Sequence, residues 1–238
     1  MNSRGTLLIT GGSKRLGFAL TRQALSIGYN ILVHYRSDNS EMVAWTDQHR
    51  EFKDRIGYIR GDLLEMHQDL IPAALDQASD LVGLVNNASL FTEGNIDSLD
   101  HFTRTFEINA LTPLRLSHAF HACVGSGFII NITDAHDDGA SVNFMNYRMS
   151  KHFLKDLTEQ CALCFAPAIR VNALAPGAML PPPGKDEAHL QRRASSIPLN
   201  RVGDITALQQ AFAFLTTNEY ITGQTLYVDG GWHVVKGD

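Results

Sequence analysis

Tyr147 and Lys151 are the residues whose types and spacing point most directly to catalysis. They stand four positions apart within a helical pattern, so their side chains project from one face of a helix. An ammonium close to a phenol favours the phenolate and lowers the phenol pKa from its ordinary value of about 10. The pair can therefore serve as a proton donor to a substrate that receives hydride. A packing pair on a helix has the same spacing, so the interpretation depends on the surrounding motifs.

A glycine-bearing turn follows the first apolar run of the chain. The residues Thr10-Gly-Gly-Ser-Lys-Arg-Leu-Gly17 lead directly into the helical pattern of residues 18–25. Glycines in such a turn let the backbone approach a pyrophosphate, and the free N–H groups of the following helix point at it. Glycine at a tight turn can also serve geometry alone. We interpret the turn as the phosphate cradle of a dinucleotide site that contains Gly11, Ser13, Lys14, Arg15, Leu16 and Gly17.

The end of the second apolar run indicates which dinucleotide is bound. An NAD-selective site carries an acidic residue here that holds the ribose diol. This chain instead has Tyr35, Arg36 and Ser37. An arginine followed by a hydroxyl group suits a 2′-phosphate, and no carboxylate at the strand end would repel it. The pattern favours NADPH over NADH, although Asp38 follows closely and a solvated loop is the alternative.

Seven strand-like runs could position these groups, and helix-length sequence separates most of them. Several runs are apolar through consecutive positions, which is typical of parallel strands that are covered on both faces. The pattern predicts an α/β fold, a single-domain Rossmann-type doubly wound parallel sheet with helices on both faces, over residues 1–238. The runs are residues 6–10, 30–35, 57–62, 81–85, 128–132, 170–174 and 225–229.

A proline-rich stretch at residues 180–185 lies beyond the sixth run, within an expected substrate-loop insertion around residues 178–200. An insertion at this place would lie over the carboxyl ends of the strands, where ligands bind in such folds. Both a lid over the ligand and an ordinary stiff loop fit the sequence.

The composition excludes several classes of protein. The chain has 238 residues, 44% of them hydrophobic, and a formal net charge of −5, so it has no general attraction for nucleic acid. Its apolar runs are shorter than the roughly 20 residues of a membrane-spanning helix, and its N-terminus lacks a signal-peptide pattern. We expect a cytoplasmic protein with a small-molecule substrate and without membrane or nucleic-acid partners. Cys161 and Cys164 fall in an apolar-periodic stretch as small buried side chains, and no metal site is expected.

A series of motifs runs along the chain in one order: Thr10-Gly-x-x-x-x-x-Gly17, Gly61-Asp62, Asn86-Asn-Ala88, Glu107-Ile-Asn-Ala110, Tyr147-x-x-x-Lys151, Ala175-Pro-Gly177 and Thr222-Gly-x-x-x-x-Val-Asp-Gly-Gly231. Through these motifs the sequence resembles the short-chain dehydrogenase/reductase family over essentially its whole length. The resemblance implies a homotetramer, because the family commonly assembles through its long helices.

The resemblance also implies roles for individual residues. Asp62 is expected beside the adenine, Lys151 on the nicotinamide ribose, and Tyr147 as the proton donor beside the cofactor. Asn109 is expected to order a proton-relay water. Further positions implied along the cofactor are Leu63, Asn87, Ala88, Ser89, Pro176 and Gly177, the last two beside the nicotinamide.

Two residues depart from the usual family pattern. The family usually has serine thirteen residues before the tyrosine, where this chain has Asp134, and glycine in the middle of the phosphate turn, where this chain has Arg15. Both departures occur together in the pteridine reductase branch, which includes the bacterial dihydromonapterin reductases. Asn87-Ala-Ser-Leu-Phe91 also resembles the N-A-S-x-F motif of that branch. The resemblance implies that Phe91 stacks on a pterin ring opposite the nicotinamide.

An aspartate in this position suits a nitrogen heterocycle better than a ketone. An ionised carboxylate only accepts hydrogen bonds and would repel the alkoxide formed from a ketone. A pterin has N–H groups that can donate to Asp134 and ring nitrogens that Asp134 and Tyr147 can protonate. Arg15 offers planar donors to the pterin oxo group or to a cofactor phosphate, and Phe91 offers a stacking face.

The sequence therefore predicts an NADPH-dependent reductase that converts a pterin-type substrate, such as dihydromonapterin, dihydrobiopterin or dihydrofolate, to the tetrahydro form. Two alternatives stay open. A short-chain carbonyl reductase of the 3-oxoacyl or sugar type could carry aspartate in the serine position. At the level of single residues, Asp134 could be a strand-end residue whose catalytic role is lost, and Phe91 could be part of the core. A non-catalytic NADPH-sensing protein could have lost the catalytic function of position 134.

Overall fold

The computed structural model describes residues 3–135, 142–182 and 184–235 of the chain. The strands in these ranges are β1 Thr6–Ile9, β2 Asn30–Tyr35, β3 Ile56–Arg60, β4 Leu81–Asn86, β5 Gly127–Ile132, β6 Ile169–Pro176 and β7 Thr225–Val228. They form one parallel sheet in the order β3-β2-β1-β4-β5-β6-β7. Each strand overlaps one of the seven predicted runs, so the predicted sheet is confirmed.

Helices connect the strands across both faces of the sheet. None of the described helices combines the length and the apolar character needed to cross a bilayer. The α-helices are α1 Arg15–Ser26, α2 Ser40–Gln48, α3 Leu63–Met66, α4 Leu70–Gln77, α5 Leu99–Phe106, α6 Thr112–Cys123, α7 Met145–Phe165, α8 Glu187–Gln191 and α9 Ile205–Thr217. Short 3₁₀ helices occur at Arg50–Arg55, Ala194–Ser196 and Trp232–Val234, and a π-helix at Glu107–Leu111 joins α5 to α6.

The core has two layers because side chains alternate between the faces of each strand. In β1, Leu7 belongs to the hydrophobic cluster on one face and Leu8 to the cluster on the other. Helices α1 and α9 cover the first face, where Phe212 is fully buried. Helices α4, α6 and α7 cover the second face, where Phe120 is fully buried. The helices on both faces confirm the predicted doubly wound architecture.

Helix α7 covers the sheet with one face only, and this corrects one prediction. Cys161 is buried as predicted, but Cys164 is exposed. The buried stripe of the second half of the helix passes through Leu154, Thr158, Cys161, Ala162 and Phe165. Position 164 lies beside that stripe, on the solvent side.

The strand order reverses between β1 and β4, because strands are added outward from β1 on one side and from β4 on the other. In an open parallel sheet, the crevice outside the carboxyl ends of the strands at such a reversal is the usual place for a ligand. The phosphate turn, the loop after β4, the residues directly after β5 and the start of the segment after β6 meet at this edge.

Candidate active site

A cavity of about 790 Å³ lies at the carboxyl ends of β1, β4, β5 and β6. Its wall is formed by the phosphate turn, by the segments after β4 and β6, by the end of β5 and by the first turns of α7. The predicted site residues that line it are Gly11, Lys14, Arg15, Leu16, Gly17, Asn87, Ala88, Ser89, Phe91, Asp134, Tyr147, Lys151, Pro176 and Gly177. The structure therefore brings together the predicted substrate residues and most of the predicted catalytic and cofactor residues.

Tyr147 and Asp134 are paired in the cavity wall. The phenol of Tyr147 donates a hydrogen bond to Oδ2 of Asp134 over 2.8 Å. The ring of Phe91 lies perpendicular to the Tyr147 ring, with 4.7 Å between the centroids. Phe91 is 39% exposed, so it is not an ordinary core residue and part of its ring is accessible to a flat ligand.

Lys151 is buried one helical turn after Tyr147. Its Nζ donates a hydrogen bond to the carbonyl oxygen of Ile132 over 2.7 Å and lies 5.9 Å from the centre of the Tyr147 ring. Burial lowers the pKa of Lys151 from 10.5 to about 8, and the nearby Asp134 carboxylate acts in the opposite direction. At neutral pH the lysine is therefore charged, and its ammonium lies close to the phenol and the carboxylate.

Asn109 is fully buried in the π-helix and is not among the residues that line the cavity. Its amide oxygen accepts hydrogen bonds from the Leu90 N–H over 2.7 Å and from the Ser89 hydroxyl over 3.2 Å. Its amide nitrogen donates to the Leu90 carbonyl and to the Ser150 hydroxyl, each over 3.0 Å. Since both donors and both acceptor positions are used, the side chain fixes the loop that leads to Phe91. The ordering of a relay water by Asn109 stays a prediction.

Close contacts hold the phosphate turn against the start of α1. A Cβ added to Gly17 would clash with the carbonyl oxygen of Gly11, so no side chain fits there. The side-chain nitrogen Nδ2 of Asn87 donates to the carbonyl oxygens of Thr10 over 2.8 Å and of Gly11 over 3.1 Å. The loop after β4 thus fixes the turn in the close backbone packing that a phosphate cradle requires.

The backbone conformation at Arg15 is one that favours glycine, the residue usual in the family at this position. Its φ of +52° lies in the left-handed region, which costs a non-glycine residue roughly 1 kcal/mol. Its guanidinium donates a hydrogen bond to the carbonyl oxygen of Pro181 over 2.7 Å. The side chain therefore links the phosphate turn to the proline-rich segment, and its remaining donors are left for a ligand.

The predicted 2′-phosphate residues lie outside the cavity wall, at the end of β2. Tyr35 is half-buried, and Arg36 and Ser37 are exposed. Asp38 forms an ion pair of 2.5 Å with Lys14, and this lysine holds the pKa of Asp38 below its ordinary value. Asp38 follows β2 and Lys14 lies in the phosphate turn, so the ion pair connects the end of β2 with the wall of the cavity.

Three other predicted cofactor residues also lie away from the cavity wall. The hydroxyl of the buried Ser13 donates to the carbonyl oxygen of Asp38 over 3.1 Å. The carboxylate of Asp62 caps α3 by accepting a hydrogen bond from the Leu64 N–H over 3.0 Å. Leu63 is buried in the hydrophobic core. Contact of these residues with a cofactor stays a prediction.

Outside the predicted insertion, the structure adds residues that the sequence alone does not single out. Phe144 stacks on Phe91 with 5.0 Å between the ring centroids. Arg148 and Trp232 line the cavity. The predicted insertion contributes Ala178, Met179, Leu180, Pro182, His189, Leu190 and Arg193 to the wall. No local motif marks these positions, because they reach the cavity only through the way the chain returns to it.

His34, at the end of β2, is a positioning residue that no sequence motif marks. Its Nδ1 accepts a hydrogen bond from the Gly11 N–H over 3.3 Å, and its Nε2 lies 3.0 Å from the carbonyl oxygen of Gly61. A carbonyl oxygen only accepts, so Nε2 carries the proton. Burial lowers the pKa of His34, which keeps the ring neutral. The ring therefore ties the phosphate turn to the ends of β2 and β3.

Comparison with known proteins identifies the family. A family model described as enoyl-(acyl carrier protein) reductase matches residues 12–233. The chain belongs to the short-chain dehydrogenase/reductase family. It is thus an oxidoreductase, and the family resemblance drawn from the motifs is confirmed.

Relatives named for different activities align with nearly all of the chain. It is 30% identical to 3beta-hydroxysteroid dehydrogenase 1 of Eggerthella lenta, over 98% of this chain and 95% of that protein. It is 28% identical to the dihydromonapterin reductase of Klebsiella pneumoniae, over 94% of this chain and 95% of that protein. The crystal structure of FolM alternative dihydrofolate reductase 1 from Brucella canis, complexed with NADP, superposes with a TM-score of 0.91 at 28% identity. That comparison covers 100% of this chain and 97% of the other.

Proposed function

We propose that this protein is an NADPH-dependent reductase of a dihydropterin. The observation that carries the proposal is the pair formed by the Tyr147 phenol and the Asp134 carboxylate, 2.8 Å apart, beside the partly exposed ring of Phe91. The relatives named dihydromonapterin reductase and FolM alternative dihydrofolate reductase 1, the latter complexed with NADP, support both the substrate class and the cofactor.

The carboxylate distinguishes this site from one built for a ketone. Asp134 accepts hydrogen bonds, and its charge would oppose an alkoxide forming beside it. Reduction of a C=N bond instead leaves a nitrogen that takes up a proton. Tyr147 holds a phenolic proton that it can deliver to such a nitrogen, and Asp134 orients the phenol and can accept from ring N–H groups.

Lys151 acts on the same proton through its charge. The ammonium stabilises the phenolate that remains when Tyr147 has given up its proton, and it offsets the repulsion between that phenolate and the Asp134 carboxylate 2.8 Å away. The Ile132 carbonyl fixes the ammonium in place through the 2.7 Å hydrogen bond. The role therefore depends on Lys151 being protonated.

The cavity fits a dinucleotide at the phosphate turn. The backbone of the turn packs too closely for a side chain at Gly17. Lys14 and Arg15 supply positive charge in the cavity wall. When bound, the reduced nicotinamide supplies the hydride. The residues that would hold the cofactor are Gly11, Ser13, Lys14, Arg15, Leu16, Gly17, Tyr35, Arg36, Ser37, Asp62, Leu63, Asn87, Ala88, Ser89, Tyr147, Lys151, Pro176 and Gly177.

A carbonyl reductase is the second candidate, and the 30% identity to a steroid dehydrogenase favours it. The Asp134 carboxylate facing the phenol argues against it, for the electrostatic reason given above. The non-catalytic alternative is disfavoured because Asp134, Tyr147 and Lys151 are assembled in one wall of the cavity.

Steady-state oxidation of NADPH with dihydromonapterin, dihydrobiopterin and dihydrofolate, each in turn, tests the proposal. We expect turnover of at least one of the three, and a variant Tyr147→Phe that binds NADPH but turns over at least about 100-fold more slowly. Absence of turnover with all three substrates would overturn the pterin assignment.

We also propose that residues 1–238 form a single NADP-binding reductase domain that assembles as a cytoplasmic homotetramer. Exposed apolar side chains on α5 and α7 support assembly through these helices, among them Leu99, Met149, Phe153 and Leu163. Sedimentation equilibrium tests the assembly: a mass of four 26.3 kDa chains supports it, and a monomer contradicts it.

A further inference from the structure

The cavity is cationic although the chain as a whole is acidic. The formal net charge of the chain is −5. The Lys, Arg, Asp and Glu residues among the described residues of the cavity wall are Lys14, Arg15, Arg148, Lys151 and Arg193, and the single acid Asp134. A concave site with such a local excess of positive charge concentrates anionic ligands.

Arg193 is a cation in this wall that the proposed reaction does not use. Lys14 and Arg15 belong to the phosphate turn, and Lys151 acts beside the phenol. Each of these three has a hydrogen-bond or ion-pair partner in the protein. The Arg193 guanidinium forms no hydrogen bond or ion pair with any residue in the described ranges. Its five donors are therefore available to a ligand.

His189 places a second donor beside Arg193. The two residues are four positions apart, the backbone keeps helical angles through Arg192 and Arg193, and both side chains line the cavity. The Arg192 guanidinium lies 3.3 Å from Nδ1 of His189. An arginine only donates, so Nδ1 is the acceptor and Nε2 of the neutral ring carries the hydrogen. The wall thus presents an N–H donor and a guanidinium on one face.

Buried contacts fix the position of these donors. Leu190 and Ile197, on either side of Arg193, are both buried. At the start of the insertion, the Arg15 side chain holds the carbonyl of Pro181. The donors are therefore carried by an anchored segment, which lowers the conformational entropy lost when they bind an anion.

We propose that Arg193, assisted by His189, selects pterins whose side chain ends in carboxylates, as that of dihydrofolate does, over pterins with a neutral hydroxylated side chain. A guanidinium binds a carboxylate through paired, charge-assisted hydrogen bonds, which are roughly twice as strong as the neutral bonds a hydroxyl group offers. This selectivity rests on the proposed pterin reduction. In it, the pterin ring of the substrate lies against Phe91, and the side chain of the substrate extends toward α8 and Arg193.

The test compares kcat and KM for dihydrofolate and for dihydrobiopterin in the wild type, in Arg193→Gln and in Arg201→Gln. Arg201 is an exposed residue that lies between α8 and α9 and does not line the cavity, so its variant loses the same charge elsewhere. We expect Arg193→Gln to raise the KM for dihydrofolate about tenfold with little change in kcat, because the variant loses one charge-assisted contact with the substrate. The KM for dihydrobiopterin should stay within about twofold, and Arg201→Gln should change neither.

Ionic strength provides a second measurement. In the wild type, the KM for dihydrofolate should rise with added salt, and this dependence should weaken in Arg193→Gln because the screened contact is gone. Equal effects of Arg193→Gln on both substrates, or an unchanged KM for dihydrofolate, would overturn the selectivity while leaving pterin reduction intact. Turnover of dihydromonapterin or dihydrobiopterin without turnover of dihydrofolate would overturn the selectivity alone. Absence of turnover with all three dihydropterins would overturn the proposed function and this selectivity together.

Discussion

Tyr147 and Asp134 stand thirteen residues apart in the chain, and their side chains meet at 2.8 Å because α7 begins beside the end of β5. Family spacing predicts that these positions come together. It does not predict that the ammonium of Lys151 is held by the Ile132 carbonyl, because a backbone partner leaves no trace in residue types. At this scale the sequence predicts the catalytic groups, and the structure shows which atoms they contact.

The lowered pKa of Lys151 predicts how activity depends on pH. The ammonium loses its proton as pH rises through about 8, so kcat/KM for the dihydropterin should fall in that range. The Asp134 carboxylate favours the ammonium and raises this pKa. In Asp134→Asn, the fall in the residual activity should therefore move to lower pH. A pH profile of kcat/KM for both proteins checks this, and an alkaline limb at the same pH in both would contradict the coupling of the two groups.

The ends of neighbouring strands are held in register by side chains as well as by the sheet itself. His34 links the end of β2 to Gly11 and Gly61, which follow β1 and β3. The sequence predicts all three strands, but these links depend on the strand order. That order is set by long-range packing, so the role of His34 could not be predicted from its neighbours in the chain.

Replacing His34 tests the importance of this link. His34→Ala leaves the Gly11 N–H and the Gly61 carbonyl without the ring, and should lower the free energy of unfolding by about 1–3 kcal/mol. His118→Ala, at an exposed position of α6, is the matched control and should have little effect. Urea denaturation measures both, and equal stabilities of the two variants would show that the link is unimportant.

The same variant has a predictable pH dependence. The pKa of His34 in the folded protein is lowered by burial from 6.5. Below pH 6.5 the unfolded chain therefore binds a proton that the folded ring does not. The free energy of unfolding of the wild type consequently decreases as the pH is lowered. Since His34→Ala lacks this proton, its stability deficit relative to the wild type should shrink as pH falls from about 7.5 to about 5.5. A constant or growing deficit would contradict the neutral ring.

At the scale of the whole molecule, apolar runs and glycine turns are sufficient to predict the sheet and the edge at which the cavity lies. They are sufficient because each depends on local chemistry and on general rules for parallel strands. The insertion around residues 178–200 is different. It contributes His189 and Arg193 to the cavity only because Leu190 and Ile197 are buried on either side of Arg193. The exposed Cys164 of α7 is a second example, because the apolar pattern of the helix does not mark where its buried face ends.

The substitution Asp134→Ser tests most directly whether this site is built for a nitrogen heterocycle. It restores the residue that is usual in the family and keeps a hydrogen-bonding partner for Tyr147. We expect NADPH-dependent reduction of the dihydropterin to fall by about 100-fold or more, while ketone reduction is unchanged or gained. Asp134→Asn, which keeps the shape without the charge, should also lose dihydropterin reduction. A serine variant that reduces the dihydropterin as fast as the wild type would contradict the role given to the carboxylate.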